Sequence, residues 1–94
     1  MATPFQCEII TPEKVAYRGT VFSMVCPGTV GSFGILARHA PLIARSGGGK
    51  LKLVEPSGER YFQIGPGLIE TSKNHVVILT NHIEDNPNAS TPQK

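Results

Sequence analysis

No apolar run in this chain approaches the roughly 18–20 residues that a membrane helix requires. The opening Met-Ala-Thr-Pro-Phe-Gln-Cys-Glu has neither the basic start nor the apolar segment of a secretory signal, so a cytosolic setting is expected. Cysteine is scarce. Cys7 and Cys26 fit neither a disulfide framework nor a paired metal motif, and both fall in apolar strand-like segments, which assigns them to core packing. Charge of one sign is lacking too: the net value is +2, too small to argue for nucleic acid by itself. There is local asymmetry, since Arg38, Arg45, Lys50 and Lys52 fall within fifteen residues that contain no acid. Such a patch either meets an acidic partner, phosphate or lipid head groups, or solvates strand edges. No segment carries a helical period, and there is no internal repeat.

What the chain does have is punctuation. Ten Gly and eight Pro are scattered along 94 residues, which favours many short strands in a single domain large enough to fold alone. Three glycines at a spacing of three, Gly28, Gly31 and Gly34, open a stretch that continues through Phe33, Ile35 and Leu36 to His39-Ala40-Pro41-Leu42. Pro41 biases Ala40 towards extended geometry, so a helix through His39 is excluded and the stretch reads as a glycine-rich turn between two strands. Around it, Phe5, Cys7 and Ile9 alternate with Gln6 and Glu8 as a half-buried strand, and Thr11-Pro12-Glu13-Lys14 reads as a turn. Val21–Cys26 is apolar on both sides. It is either a central strand covered twice or one whose Phe22 and Met24 lend a face to another protein. Lys50–Glu55 and Arg60–Ile64 read as a hairpin across Pro56–Glu59, and Leu68–Thr71 with His75–Thr80 as a second across Ser72-Lys73-Asn74. From 82 to 94 the chain is polar and is expected to be a mobile tail after a β domain at 1–81. Regular turns between short strands imply an all-β sandwich or barrel.

Familiar chemistry is absent. Gly47-Gly48-Gly49-Lys50 fails the phosphate-loop pattern because Ala44 and Leu51 stand where Gly and Ser or Thr are needed. Gly28, Gly31 and Gly34 have the wrong spacing for a dinucleotide site, and Ser32 is not set in a nucleophile elbow. His39, His75 and His82 match no metal-ligand spacing, although a cupin-like metal barrel would be the fold to hold them. Glu8 and Glu70 have no visible companion for acid–base work. Tyr61 and Phe62 beside Arg60 leave an oligonucleotide-binding barrel as an alternative. The residues by themselves describe a small β domain whose work is binding.

Read whole, from about Phe5 to Thr80, the chain resembles the N-terminal β-sandwich domain of the epsilon subunit of F-type ATP synthase. The resemblance rests on Gly28-Thr-Val-Gly-Ser-Phe-Gly-Ile-Leu with His39-Ala-Pro-Leu42, close to that family's Gly-x-x-Gly-x-x-Gly-Ile-x-Pro-Gly-His-Ala-Pro-Leu. Glu8–Glu13, Gly19-Thr-Val21, Gly67-Leu-Ile-Glu70 and Val76–Leu79 support it. It implies a flattened two-sheet sandwich of about ten short strands, mostly antiparallel, with no catalytic, cofactor or metal residues. It also implies a rotor subunit that binds the γ subunit and the membrane ring of c subunits, peripheral to the cytoplasmic face of a bacterial inner or other energy-coupling membrane. Neither nucleic acid nor a small-molecule substrate is an expected partner. The expected partner contacts are Phe22 and Met24 for γ, with Gly31, Ser32, Arg38 and His39 for ring or stalk. Two departures fall in that loop: family members commonly have an acid at Ser32 and Pro-Gly at Ala37-Arg38. The family usually continues into a two-helix C-terminal domain. This chain stops after its polar stretch, and the expectation is no helical inhibitory switch and no ATP site.

Overall fold

The structure, a computed structural model, describes residues 3–86. Ten strands account for most of them: β1 (Phe5–Ile10), β2 (Val15–Val21), β3 (Ser23–Pro27), β4 (Ser32–Leu36), β5 (Leu42–Ser46), β6 (Gly49–Glu55), β7 (Gly58–Ile64), β8 (Gly67–Ser72), β9 (His75–Thr80) and β10 (Ile83–Asp85). They form two five-stranded sheets, ordered β2-β1-β9-β8-β5 in sheet A and β10-β7-β6-β3-β4 in sheet B. Among the described residues every pairing is antiparallel except β1 with β9. The expected all-β two-sheet sandwich is what the chain forms, and its extents of 38 × 33 × 27 Å are those of a flattened body.

Period-two alternation decides which side chains fill the space between the sheets. Phe5, Cys7 and Ile9 of β1 meet Ile69 of β8 and Val76 and Ile78 of β9 from sheet A. Met24, Cys26, Ile35, Leu51, Leu53, Phe62 and Ile64 close the core from sheet B. Burial pushes the Cys7 thiol far above its ordinary range, with Cys26, Glu8 and Glu55 adding to the effect. The Cys26 thiol is pushed up to about 12 by burial. Both are packing residues without thiolate character at neutral pH. At one rim the Tyr17 hydroxyl donates to Glu55 Oε2. The Arg60 guanidinium there covers the Tyr17 and Phe62 rings at 5.4 and 4.8 Å. This clasp ties β2 of sheet A to β6 and β7 of sheet B.

Turn chemistry fixes the hairpins. Lys73 and Asn74, at φ 51° and 63°, make the two-residue connection between β8 and β9. Positive φ at both central residues is what a type I′ hairpin requires. Gly31, at φ 134°, closes the β3–β4 turn, in which the Gly28 N–H donates to the Gly31 carbonyl at 2.9 Å.

Three expectations need correction. Val21–Cys26 is not one strand. The chain bends at Phe22 and passes from sheet A to sheet B, so Val21, Met24 and Cys26 are all buried while Val25 is 39% exposed. The bend resets the alternation, which is why both sides of the segment read as apolar. The stretch after Gly28 is not turn throughout, because Ser32–Leu36 pairs with β3 as the edge strand of sheet B. The β domain does not end at 81 either: Ile83 pairs with Ile64 and packs against the core. Of the tail expected at 82–94, residues 87–94 lie outside the described residues.

Candidate partner-docking face

The outer face of sheet A carries apolar side chains that alternation alone would have made polar. Strand register lines them up. Val15 is opposite Ile10, Ile10 opposite Leu79, Leu79 opposite Leu68, and Leu68 opposite Arg45, so one row crosses all five strands. An irregularity in β2 puts Val15 there, since Ile9 pairs with Tyr17 but Ile10 pairs with Val15, skipping Ala16. Without that bulge Val15 would share the inward side of Tyr17. Val15, Leu68 and Leu79 are 44, 41 and 44% exposed. Its middle members Ile10, Leu79 and Leu68 line a groove of about 460 Å³, walled also by Thr11, Pro12 and Pro66. A glycine is required at this wall, because a Cβ on Gly67 would land on the Leu79 carbonyl.

A second, mixed row runs beside it: Arg18, Glu8, Val77, Glu70 and Ile43. Arg18 Nε donates to Glu8 Oε2 at 2.7 Å, and His75 Nε2 lies 3.3 Å from Glu8 Oε1. The Arg18 hydrogen bond holds the Glu8 carboxyl below the usual carboxylate range. The face is therefore an apolar strip with a charged border, the anatomy of a protein interface.

The residues expected to bind partners are dispersed. Met24 is 1% exposed and belongs to the core, so it does not lie on a surface with Phe22. Phe22 is half-buried at the sheet-crossing bend, its N–H donating to the Val54 carbonyl at 2.7 Å. Gly31 and Ser32 are exposed at the β3–β4 turn, whose tip is the fully exposed Val30. Thr29 of that turn walls a groove of about 440 Å³ with Arg45, Pro66 and Leu68, so the turn adjoins the apolar row. Arg38 and His39 are elsewhere. Ser32 begins β4, and the four strand steps from it to Leu36 carry the chain about 13 Å before Arg38 is reached. Their neighbour is the β8–β9 turn, whose Asn74 Oδ1 accepts from the Arg38 N–H at 2.7 Å. Neighbours in sequence thus end at different corners.

The three histidines do not converge. His75 lies by Glu8, His82 lies 3.1 Å from Glu84, and His39 Nδ1 is 2.8 Å from the Ala40 carbonyl. Among the described residues no three His, Cys, Asp or Glu side chains group as metal ligands. Phe62 is 4% exposed, which removes it from any stacking platform with Tyr61.

Sequence reasoning missed the apolar row, although a signal for it was present. Val76-Val-Ile-Leu79 and Ile9-Ile10 are apolar at successive positions, so one member of each pair must face out. Val21–Cys26 carries the same pattern, but there a bend at Phe22 and not a second face is the cause.

Residues 4–86 match the family described as ATP synthase, Delta/Epsilon chain, beta-sandwich domain. The chain is 45% identical over 74 residues to the ATP synthase epsilon chain of Leptospira borgpetersenii serovar Hardjo-bovis (strain JB197), covering 79% of this chain and 58% of that relative. It is 39% identical over 80 residues to the epsilon chain of Chlorobium limicola, covering 84% of this chain and 91% of the relative. The chain thus spans 58 to 64% of the length of the Leptospira relatives and nearly all of the Chlorobium one. Among solved structures, a chain of the Euglena gracilis mitochondrial ATP synthase (OSCP/F1/c-ring) superposes with a TM-score of 0.78 at 17% identity, covering 84% of this chain and 51% of that one. A chain of the Tetrahymena thermophila mitochondrial ATP synthase central stalk and c-ring gives 0.68 at 18% identity, covering 94% and 71%. With the β-sandwich in place and residues 4–86 matching the family, this chain belongs to the ATP synthase delta/epsilon family and carries that family's β-sandwich domain.

Proposed function

We propose that the protein is a non-catalytic rotor subunit of the central stalk of an F-type ATP synthase, seated between the γ subunit and the c-ring and turning with both. The observation that carries this reading is the row Val15–Ile10–Leu79–Leu68, aligned across four strands and open to water. An apolar strip of that length, bordered by Arg18, Glu8, Glu70 and Arg45, fits a partner protein surface. We assign it to γ, in place of the pairing of Phe22 with Met24. Burying the exposed parts of Leu68 and Leu79 contributes about 1 kcal/mol each, enough for recognition as part of a larger seam.

The turn Gly28–Ser32, with Val30 at its tip, is the proposed ring contact, and the Arg38–His39 corner a further stalk contact. Ser32 makes that ring contact neutral where family members commonly carry an acid. Torque transfer needs a body that does not shear between its two adhesive regions. Ten paired strands around a close-packed core supply that stiffness. No helix among the described residues is long and apolar enough to cross a membrane. In this reading the protein meets the cytoplasmic face of an energy-coupling membrane through the ring.

Leu79→Glu tests the assignment. A carboxylate in the middle of the row is expected to weaken γ binding at least tenfold in a titration of purified subunits. As an outward residue, the variant keeps a thermal midpoint corresponding to within about 0.5 kcal/mol of the parent. Undiminished γ binding by the folded variant would remove the row from the interface.

A further inference from the structure

We infer that Asn74 is a positioning residue for the Arg38–His39 corner: its side chain pins the β4–β5 connection to the β8–β9 hairpin and to the start of β1. The connection needs a pin because of its own turn. The His39 N–H donates to the Leu36 carbonyl at 3.2 Å, which makes Ala37 and Arg38 the central pair of a β-turn. Arg38 stands at φ 64° in the second of those positions, the one at which a turn with positive φ favours glycine. An L side chain there costs about 1–2 kcal/mol.

Asn74 offsets that strain from outside the turn. Its Oδ1 accepts from the Arg38 N–H at 2.7 Å, and its Nδ2 donates to the Pro4 carbonyl at 3.1 Å. A backbone donor on one side and a backbone acceptor on the other fix which way the amide points. The Asn74 carbonyl also accepts from the Gln6 N–H at 3.2 Å. Asn74 is itself at φ 63°, a conformation asparagine adopts more readily than most residues, so its backbone aims the side chain at this junction. Two residues further along the same connection, the buried Thr71 hydroxyl donates to the Ala40 carbonyl at 2.9 Å. His39 lies between these two attachments, both from the β8–β9 hairpin.

Three variants of the whole chain separate the contributions. Asn74→Gly keeps the backbone conformation and removes both side-chain bonds. Asn74→Asp keeps an acceptor for the Arg38 N–H and removes the donor to Pro4. Arg38→Gly relieves the turn of its dependence on an outside acceptor. Amide hydrogen exchange by NMR is the readout. In Asn74→Gly the Arg38 amide is expected to exchange roughly 3- to 10-fold faster, the range set by one net hydrogen bond, while Val76 and Ile78 keep their protection. In Asn74→Asp the Arg38 amide stays protected. Unchanged exchange at Arg38 in Asn74→Gly, or equal acceleration in Asn74→Asp, overturns the inference. If Asn74→Gly does not fold, Asn74→Ala, which also removes both side-chain bonds, is read in its place with the same two outcomes.

The corner's value for partner binding rests on the rotor reading and is measured separately as γ affinity. A several-fold loss in Asn74→Gly, regained on adding Arg38→Gly, supports both. Faster exchange with γ affinity unchanged upholds the positioning role and overturns the corner as part of the γ site.

Discussion

On the outer surface of β1 the Glu8 carboxylate is held by Arg18 and lies within reach of His75. The Arg18 hydrogen bond lowers its pKa from the ordinary 4.5, and Glu59, held by Tyr61 and Lys52, is lowered likewise. A carboxyl with a depressed folded-state pKa stabilises the fold above its unfolded value and loses that contribution as pH falls through the folded one. Stability measured by urea melts is therefore expected to be level above about pH 4.5 and to decline below it. Glu8→Gln should flatten that acid limb. Met24 gives the contrasting case of a residue with no polar role. It is 1% exposed, so Met24→Ala is expected to cost about 2–4 kcal/mol by cavity formation. That is a large share of the stability of so small a domain. A midpoint close to the parent's would return Met24 to the surface.

At the scale of the element, β8 and β9 are the pair on which the docking face depends. Gly67 is opposite Thr80 at the start of β8, and there is no room for a methyl above the Leu79 carbonyl. Gly67→Ala is expected to push β8 away from β9 at that end and cost about 1–3 kcal/mol, read from the urea midpoint. It should weaken γ binding as well, because Leu68 and Leu79 face each other one pair further along. The hairpins were legible from sequence because their information is local. Pro56-Ser57-Gly58 and Ser72-Lys73-Asn74 sit between alternating runs, and both runs of each hairpin pair as expected. β4 was hidden, since Ser32-Phe-Gly-Ile-Leu36 contains a glycine and follows two more. The break at Phe22 was hidden as well. A bend between sheets leaves no local mark when the residues on both sides of it are apolar.

For the whole molecule, the apolar row and the β3–β4 turn meet near Arg45 and Pro66. The Arg38–His39 corner lies towards the other end of β4. In the rotor reading the first region joins γ to the ring, and a probe can be placed on it cleanly. Cys7 and Cys26 are buried, so a thiol introduced by Val30→Cys at the fully exposed tip becomes the readily accessible one. In an assembled synthase this thiol is expected to cross-link to a c subunit and to resist maleimide. In the free chain it should label fully. Equal labelling in both states would take the turn off the ring.

Local alternation and turn residues in this sequence determined an all-β domain, most of its strands and most of its core, because the period of two and the special φ of turn residues act over only a few positions. Only the tertiary structure decided which sheet each strand joins, and with it what the surface is. Ile10 and Leu79 are far apart along the chain and become neighbours through the parallel pairing of β1 with β9. Ser32 and His39 are close along the chain and are held apart by the strand that starts at Ser32. A binding face here is a property of strand register, and register between distant segments is set by the packing of the whole core.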